Sequence, residues 1–409
     1  MFPPTPAKAA PQGLWTRHLL DLLAIQFLFG IAFSTFYLLP EFLKLELSAS
    51  ATEIGVVSGL GLLAAVAASP LAGWWLARGD RRSPALVGSG LLALSCLGFL
   101  TVDRIGIWLL ALRVLQGIAF SLTFAAVVTR ASEIGPEQRL GQLLGYLGLA
   151  MLLTNALGPA LAEFLAHAFG WKLVFGQAAL WALGAAWVSL RVQSGRATGW
   201  SVAELYLSLR HADRGRILYA SVVMGMALGV MFTFTQPFAL ERGAERLSAL
   251  FSGYVLSAAT VRLLFATLAD RAGRRRVSRW SMLAYAGVVT VSAALTPSTL
   301  FVLGIGLGVV HGLAYPALLA SLLEEVTASD RAILVTAFNA SFSLGYAASL
   351  FCLGPVADHW GYPALFVSCG IFSLSGAWAL RGQGRPRRRD LAPPPADTPA
   401  GAAGQGGPS

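Results

Sequence analysis

The sequence predicts an all-α membrane protein with twelve transmembrane helices in two pseudo-symmetric six-helix bundles. Two observations predict this fold class. Hydrophobic residues make up 56% of the 409 residues and charged residues only 12%, against roughly 25% charged residues in ordinary soluble domains. So few charges cannot cover the surface of a water-soluble protein of this length. In addition, short peptides of the first half recur in the second half, which is typical of transporters built from two related bundles.

The repeat consists of four peptides that return in the same order at an offset of about 195 residues. The matched pairs are Leu115–Phe120 with Val310–Tyr315, Leu157–Pro159 with Leu353–Pro355, Gly170–Phe175 with Gly361–Phe366, and the arginine-rich loops 79–82 and 270–276. One match can arise by chance. Four matches in register indicate two copies of one six-helix unit.

Each unit contains six apolar segments long enough to span a bilayer, since a helix needs about 20 residues to cross roughly 30 Å of hydrocarbon. In order, the twelve segments cover roughly 19–41, 53–77, 84–102, 105–130, 140–167, 171–192, 216–240, 247–269, 278–298, 299–325, 331–356 and 362–381. The predicted domains are an N-terminal tail (1–18), an N-terminal bundle (19–192), a linker (193–215), a C-terminal bundle (216–382) and a disordered basic, Pro- and Gly-rich tail (383–409).

Orientation follows from the basic residues. Most of the 30 Lys and Arg residues lie in the tails, the linker and the loops on the side of the N-terminus. The positive-inside rule therefore places both termini in the cytoplasm. The net charge of +10 is explained by this orientation and requires no nucleic-acid partner. Arginine greatly outnumbers lysine, as in GC-rich bacterial genomes, so we expect a bacterial plasma membrane.

Two loops carry a motif that resembles a known family. Residues 73–82 read GWWLARGDRR and residues 266–275 read ATLADRAGRR. Both resemble the Gly-x-x-x-Asp-Arg-x-Gly-Arg-Arg signature of the major facilitator superfamily, in which the aspartate caps a neighbouring helix end in the outward-facing state. The second copy is the stronger one. In the first copy Ala77 occupies the aspartate position, and Asp80 stands where a glycine is expected.

The resemblance implies a cytoplasmic conformational latch. Its expected members are Gly73, Arg78, Asp80, Arg262, Asp270, Arg271, Gly273 and Arg274.

Motifs in the fourth and fifth helices indicate which branches of the superfamily the sequence resembles. Residues 113–117 read RVLQG, which is similar to the fourth-helix motif associated with proton-coupled transport. Gly145, Gly158 and Pro159 match part of the fifth-helix motif of exporters, although Thr154 replaces one glycine of that motif. Together these residues resemble the bacterial drug and metabolite efflux branches of the superfamily.

Two ionisable residues lie deep within predicted spans. A charge at the bilayer centre costs about 2.5–3.5 kcal/mol on insertion scales, so such residues usually face the bundle interior and serve a function. Arg113 is either a fixed charge in the substrate cavity or the partner of a carboxylate on a neighbouring helix. His311, at the repeat position of Gln116, is either a proton carrier or a neutral residue hydrogen-bonded between helices.

Small and polar residues form matching stripes on the first helix of each half. The stripes are Gln26, Gly30, Ser34 and Tyr37 in the first half, and Gly225, Gly229, Thr233 and Gln236 in the second. Their spacing places each set on one helix face, which indicates either cavity lining or tight helix packing. The predicted substrate cavity comprises Gln26, Tyr37, Arg113, Gln116, Asn155, Gln236, Tyr254, His311 and Asn339.

The carboxylates near the ends of the spans have several interpretations. Asp21 is expected to pair with Arg17 one turn earlier, and Glu163 is either an outer-gate charge or a protonatable site. Glu41, after Pro40, is expected at the membrane interface. The residues predicted to take part in proton coupling are Arg113, His311, Asp21 and Glu163.

These features predict a monomeric secondary transporter that exports a small organic molecule against proton entry by rocking of the two bundles. Proton-linked uptake is the alternative within transport. A membrane enzyme or a non-transporting sensor is less well supported, because no clustered metal ligands, nucleophile elbow or folded extramembrane domain is evident. The sequence contains no ATP-binding Gly-x-x-x-x-Gly-Lys-Ser/Thr loop. We expect no cofactor and no bound metal, with the substrate, protons and the lipid bilayer as partners.

Overall fold

The computed structural model describes residues 16–134, 140–193, 212–264, 272–324 and 328–382. The predicted tails, most of the linker, and the latch residues Asp270 and Arg271 lie outside the described residues. The described part of the chain is helical, without β-strands. Each of the twelve predicted spans corresponds to helical structure.

The helices of the first half follow the predicted order. They are α1 (Arg17–Ser34), α2 (Leu39–Glu46), α3 (Ala51–Ala77), α4 (Arg82–Phe99), α5 (Ile107–Ile134), α6 (Leu140–Phe169) and α7 (Trp171–Ser189). The first span consists of α1 and α2, which are joined by a 3₁₀ turn at Thr35–Leu38. Pro40 lies in the first turn of α2, where its missing N–H costs no intrahelical hydrogen bond.

The second half repeats this arrangement. Its helices are α8 (Ala212–Thr233), α9 (Thr235–Glu241), α10 (Ser248–Leu264), α11 (Arg274–Val291), α12 (Leu300–Leu322) and α13 (Ala328–Ala379). The first span of this half is again divided, between α8 and α9, and Pro237 occupies the place that Pro40 has in the first half. The long α13 contains the last two spans, which are separated by a sharp bend of the backbone at Gly361.

Gly170 and Gly361 give the two halves the same backbone turn at equivalent positions of the repeat. Each residue separates the fifth from the sixth span of its half, and each has a positive φ, 84° and 80° respectively. Residues with a Cβ rarely adopt this left-handed backbone conformation, whereas glycine does so readily. The two matching glycines of the sequence therefore allow the same reversal of chain direction in both halves.

Eight stretches of the described residues are long and apolar enough to cross a membrane, and the stretch Leu334–Ala379 contains two spans. The remaining spans are formed by α7, α10 and α11, which are shorter or more polar. Large apolar side chains such as Trp187, Leu180 and Trp378 point outward, as a lipid-facing surface requires. The protein is a multi-pass membrane protein.

Helices of each half pack mainly against one another. In the first half α5 packs on α3 and α4, and α1 on α6 and α7; in the second half α12 packs on α10 and α11, and α13 on α8. Between the halves the main contacts are those of α3 with α13 and of α6 with α10. We call the end of the molecule that carries Ser48, Gly170, Gly243 and Gly361 the far end, and the opposite end, where α1 begins, the near end.

Candidate functional site

A cavity in the first half is lined by aromatic rings and by several of the predicted polar residues. Gln26, Gly30 and Tyr37 contribute from the first span, and Asn155 from α6. The remaining lining residues are mostly aromatic: Phe29, Phe33, Phe120, Thr123, Phe124, Met151 and Thr154. The described lining carries no ionisable side chain other than the Tyr37 phenol. The wall thus combines aromatic and apolar surface with a few hydrogen-bonding groups, around a cavity of about 10 Å³, which is room for about one water molecule.

The first-half stripe has residues that line the cavity and residues that pack helices together, whereas Gly225 of the second-half stripe takes part in helix packing. Ser34 and Gly30 lie against α6, where the Ser34 Oγ donates to the carbonyl of Thr154 at 2.7 Å. A Cβ at Gly30 would lie only 2.6 Å from the Thr154 Oγ1. Gly225 packs in the same way on the backbone of Phe342 in α13. The glycines and serine thus pack helices together, whereas Gln26 and Tyr37 line the cavity.

Gln236 joins the two halves directly. Its Nε2 donates to the carbonyl of Tyr37 at 2.7 Å and to the carbonyl of Phe232 in its own half at 2.5 Å. The Gln236 Oε1 is buried without a protein partner. Tyr37 also stacks on Phe251 of α10, with ring centroids 5.7 Å apart. The end of the first span is therefore held against the second half of the molecule.

Arg113 is buried and binds oxygen atoms that are not carboxylates. Its Nε donates to the carbonyl of Val57 at 3.1 Å, its Nη2 to the carbonyl of Ser58 at 3.3 Å, and its Nη1 to the Oε1 of Gln116. Among the described residues no carboxylate forms an ion pair with it. The expected alternative of a structural carboxylate pair is therefore not seen. The Gln116 Nε2 is buried and has no protein partner.

His311 lies in a cluster of aromatic side chains in the second half. Its ring centroid is 5.8 Å from that of Tyr254, 5.7 Å from Tyr315 and 5.9 Å from Phe342. The Tyr285 hydroxyl lies 3.4 Å from its Nδ1. This arrangement agrees with the alternative of a histidine that is hydrogen-bonded between helices, and it does not test a role in proton transfer.

Asn339 and Tyr254 belong to the same region. The Tyr315 hydroxyl donates to the Asn339 Oδ1 at 2.6 Å, and Tyr254 packs edge-on against Phe232 at 5.0 Å. The structure therefore brings Tyr254, His311 and Asn339 together in the second half. Gln26, Tyr37 and Asn155 lie around the cavity of the first half.

At the far end Glu163 of α6 binds the start of α10 in the other half. It accepts hydrogen bonds from the backbone N–H groups of Leu247 and Ser248, the latter at 3.1 Å, and from the Ser248 hydroxyl. These are N–H groups that the first turn of a helix leaves without an intrahelical acceptor. Glu163 thus joins the two halves, and both interpretations considered for it, an outer-gate charge and a protonatable site, stay predictions.

A second carboxylate forms the matching contact, and the sequence reasoning missed it. Asp358 of α13 accepts from the N–H groups of Ala51 and Thr52, at 2.8 and 2.9 Å, and from the Thr52 hydroxyl at 2.5 Å. Asp358 follows Glu163 by about 195 residues, the offset of the repeat. Extending the repeat to the ends of the spans would have identified it.

Two further contacts complete the far end. Lys44 and Glu241, one from each half, form an ion pair at 3.0 Å. Glu41 is 1% exposed and therefore faces the interior of the protein, and its expected position at the membrane interface stays a prediction. The Nε2 of His167 lies 3.7 Å from the Glu41 carboxylate.

At the near end the first-half loop is held within its own bundle. The Asp80 carboxylate accepts from the N–H groups of Arg82 and Ser83, at 3.1 and 3.0 Å, and so caps the start of α4. Burial alone would raise the pKa of Asp80, but the hydrogen bonds from Ser83, Arg82 and Trp75 outweigh burial and lower it.

Other predicted latch residues lie close to this loop and its counterpart. The Arg78 guanidinium stacks on Trp74, 3.6 Å from the ring centroid, and Gly73 has open space where a Cβ would be. Gly273 has a φ of 90° at the start of α11, and Arg262 is exposed near the end of α10. The position of the Asp270 carboxylate lies outside the described residues, so the role of this latch stays a prediction.

Buried and exposed ion pairs fix both loops in equivalent ways. Arg81 is fully buried and donates to the Glu133 carboxylate of α5 at 3.0 and 2.7 Å. In the second half Arg274 and Arg275 lie 3.9 and 3.8 Å from Glu324.

Asp21 pairs differently from the expectation. Its carboxylate lies 3.8 Å from Arg191 at the end of α7, so the ion pair described for it joins two helices and does not involve Arg17.

Comparison with known proteins agrees with this architecture. The sequence model of the Major Facilitator Superfamily matches residues 22–261 and 243–404. The multi-drug resistance efflux pump PmrA of Streptococcus pneumoniae is 26% identical over 140 residues, which are 34% of this chain and 35% of PmrA. The multidrug resistance protein B homolog of Mycobacterium tuberculosis is 36% identical over 117 residues, 28% of this chain and 21% of that protein. The matches thus span about a third or less of these relatives.

Among solved structures, the crystal structure of the nucleoside transporter NupG superposes with a TM-score of 0.70 at 16% identity. The superposition covers 90% of this chain and 99% of that chain. At this level of identity the likeness concerns the fold.

Proposed function

The chain belongs to the Major Facilitator Superfamily, and from this premise we propose that it is a monomeric secondary transporter that exports a small organic molecule in exchange for protons. The contacts at the far end carry the proposal of alternating access. Among the described residues, hydrogen bonds and one ion pair that join the two halves, from Glu163, Asp358, Lys44 and Gln236, lie at that end. Contacts at one end can break while others form at the opposite end, as rocking bundles require.

The distribution of basic residues supports an orientation with the far end outside the cell. In that orientation the structure is closed to the outside. The direction of transport is proposed from sequence: two relatives are named as multidrug resistance proteins, one of them as an efflux pump. The exporter-like residues Gly158 and Pro159 favour the same direction.

The substrate class is proposed from the cavity wall. Phenylalanine rings and the amides of Gln26 and Asn155 face the cavity. Aromatic rings provide large apolar contact areas, and amides orient a ligand through single hydrogen bonds. We therefore propose a weakly polar, amphipathic organic compound with a planar ring.

Proton coupling is proposed on the two ionisable residues of the interior. Arg113 and His311 lie on α5 and α12, at nearly equivalent positions of the repeat, and both are buried. A histidine changes its charge near pH 6.5 in its unperturbed state, so His311 is the proposed proton carrier. Glu163 and Asp21 are the remaining candidates, because both are carboxylates close to the end of a span.

Transport in reconstituted liposomes tests the proposal. Purified protein is incorporated into vesicles with a pH gradient, and planar aromatic cations and neutral compounds are supplied as fluorescent probes. We expect probe movement against the proton flux, lost when an ionophore collapses the gradient. Movement of the probe in the same direction as the protons would indicate uptake instead. Movement that does not depend on the pH gradient would exclude proton coupling.

The same assay on His311→Gln identifies the proton carrier. Glutamine occupies the equivalent repeat position, Gln116, and cannot be protonated in this range. We expect probe binding to persist and the pH dependence of transport between about pH 5.5 and 7.5 to flatten. An unchanged pH profile would assign the histidine a packing role and leave Glu163 and Asp21 as the candidates.

A further inference from the structure

At the far end, two equivalent contacts join the halves. In each contact, a carboxylate of one half binds the start of a helix in the other half. Glu163 of the first half caps α10, and Asp358 of the second half caps α3. Each carboxylate binds two backbone N–H groups and one hydroxyl, supplied by Leu247 and Ser248 in one case and by Ala51 and Thr52 in the other. The contact is therefore reciprocal: each half provides one acid and one helix N-terminus.

We propose that Glu163 and Asp358 form a reciprocal pair of charge-dependent locks that keep the far end closed and set the ratio of far-end-closed to far-end-open molecules. The inference rests on the proposed alternating-access function. The negative charges of the two residues stabilise the far-end-closed conformation, and neither residue contacts the transported molecule.

The physical reason lies in what each partner loses on opening. The first N–H groups of a helix have no intrahelical acceptor, and the helix dipole places positive charge at the same point. A carboxylate at that point forms short, charge-assisted hydrogen bonds. Because acid and helix start belong to different halves, these bonds cannot survive separation of the halves at the far end.

The two locks differ in strength because their surroundings differ. Glu163 is 7% exposed, whereas Asp358 is exposed to solvent. Water and salt screen an exposed charge and weaken its attraction to the helix start. Glu163 is therefore the stronger lock of the two.

Neighbouring contacts do not supply the same interaction. Lys44 and Glu241 form an ion pair between flexible, partly exposed side chains, the kind of pair that contributes little. Gln236 bridges the halves through a neutral amide. Glu41 is the acidic side chain close enough to Glu163 for their charges to interact, and it belongs to the same half, so its charge does not hold the halves together.

Inter-bundle distances in the full-length protein test the proposal. The three cysteines Cys96, Cys352 and Cys369 are replaced, and spin labels are placed at Arg104 and Ser298 for the far end. A second pair at Ser132 and Arg276 reports on the near end. The labelled protein is studied in lipid nanodiscs by pulsed electron resonance, which gives the populations of open and closed molecules.

We expect Glu163→Gln and Asp358→Asn each to raise the far-end open-to-closed ratio, by about 2- to 30-fold, with the larger change for Glu163→Gln. Near-end distances should shorten correspondingly. The double variant should show roughly the product of the two changes. The matched control is Glu53→Gln: Glu53 lies at the same helix start but bonds to Ser50 of its own half, so the ratio should stay unchanged.

Several outcomes would overturn the proposal. One is an unchanged ratio in both Glu163→Gln and Asp358→Asn, and another is an equal shift in Glu53→Gln. Broadened distances at both ends without an opposite change would indicate general loosening instead of a lock. Because the measurement does not depend on transport, a protein that shows the predicted shifts but moves no substrate would contradict the proposed function and leave the locks intact.

Discussion

At the scale of single residues, Arg113 organises the centre of the first half. Its guanidinium connects α5 to the backbone of α3 through Val57 and Ser58, and it holds the side chain of Gln116 one turn away. Guanidinium groups suit this role because they present five N–H donors in a fixed plane. The fixed plane leaves a buried positive charge at a defined place between α5 and α3, about two turns from the start of α5.

We predict that Arg113→Ala abolishes proton-driven transport and that Arg113→Lys restores it only in part. The lysine ammonium keeps the charge but cannot reach three acceptors in different directions. Each hydrogen bond of a charged group contributes about 1.5–3 kcal/mol. If the transport barrier rises by this amount, the transport rate falls by at least about tenfold. Proton-driven probe transport in liposomes measures this. Arg104→Ala, in the exposed far-end loop, should behave as the unmodified protein, and full activity in Arg113→Ala would contradict the role.

At the scale of elements, pairs of helices meet through glycines at equivalent places in both halves. Gly117 of α5 lies against the backbone of Gly61 in α3, and its repeat counterpart Gly312 of α12 lies against the backbone of Ala258 in α10. Without a Cβ, the helix backbones approach closely, which lipid-embedded helices use in place of a hydrophobic driving force. Close to the starts of α4 and α11, Arg81 pairs with Glu133, and Arg274 and Arg275 pair with Glu324, each within its own half.

We predict that Ala77→Asp raises the proportion of molecules open at the far end, whereas Asp80→Ala does not. In this structure Asp80 uses its carboxylate on α4 of its own half, so we expect that it does not provide the near-end latch that the family motif implies. Asp80→Ala should instead lower the free energy of unfolding by about 1 kcal/mol through loss of a helix cap. The spin-label distances and chemical denaturation measure the two effects.

The pH dependence of Asp80→Ala provides its control. Because the folded-state pKa of Asp80 is lowered, its contribution is present above the unfolded pKa, about 3.9, and is lost as the pH falls through the folded value. The stability difference between the variant and the unmodified protein should therefore vanish in acid. A difference that persists at low pH, or an open fraction that rises in Asp80→Ala, would contradict this account.

At the scale of the whole molecule, much of the fold followed from the sequence because the repeat and apolar periodicity are local properties of the chain. The positions of the spans and the matching turns at Gly170 and Gly361 were readable in this way. The partners of individual charges were not. Asp21 pairs with Arg191, far along the chain, because α1 and α7 are neighbours only after folding. The partner of Asp358 is a helix start in the other half, a contact that charge pairing along the sequence does not indicate.

The closed far end leads to the last prediction, which concerns the molecule as two moving bodies. Lys44 and Glu241 meet there from opposite halves, 3.0 Å apart, and both are accessible to reagents. In a protein whose native cysteines are replaced, we expect a short bis-methanethiosulfonate to bridge Lys44→Cys and Glu241→Cys through two disulfides, with release of two methanesulfinates, and to stop transport. Probe binding from the near end should persist, because the bridge leaves that end free. Cleaving the bridge should restore transport, and each single-cysteine variant treated with the same reagent should transport normally. Continued transport by fully bridged protein would mean that the halves need not separate at the far end, which rocking of two rigid bundles cannot accommodate.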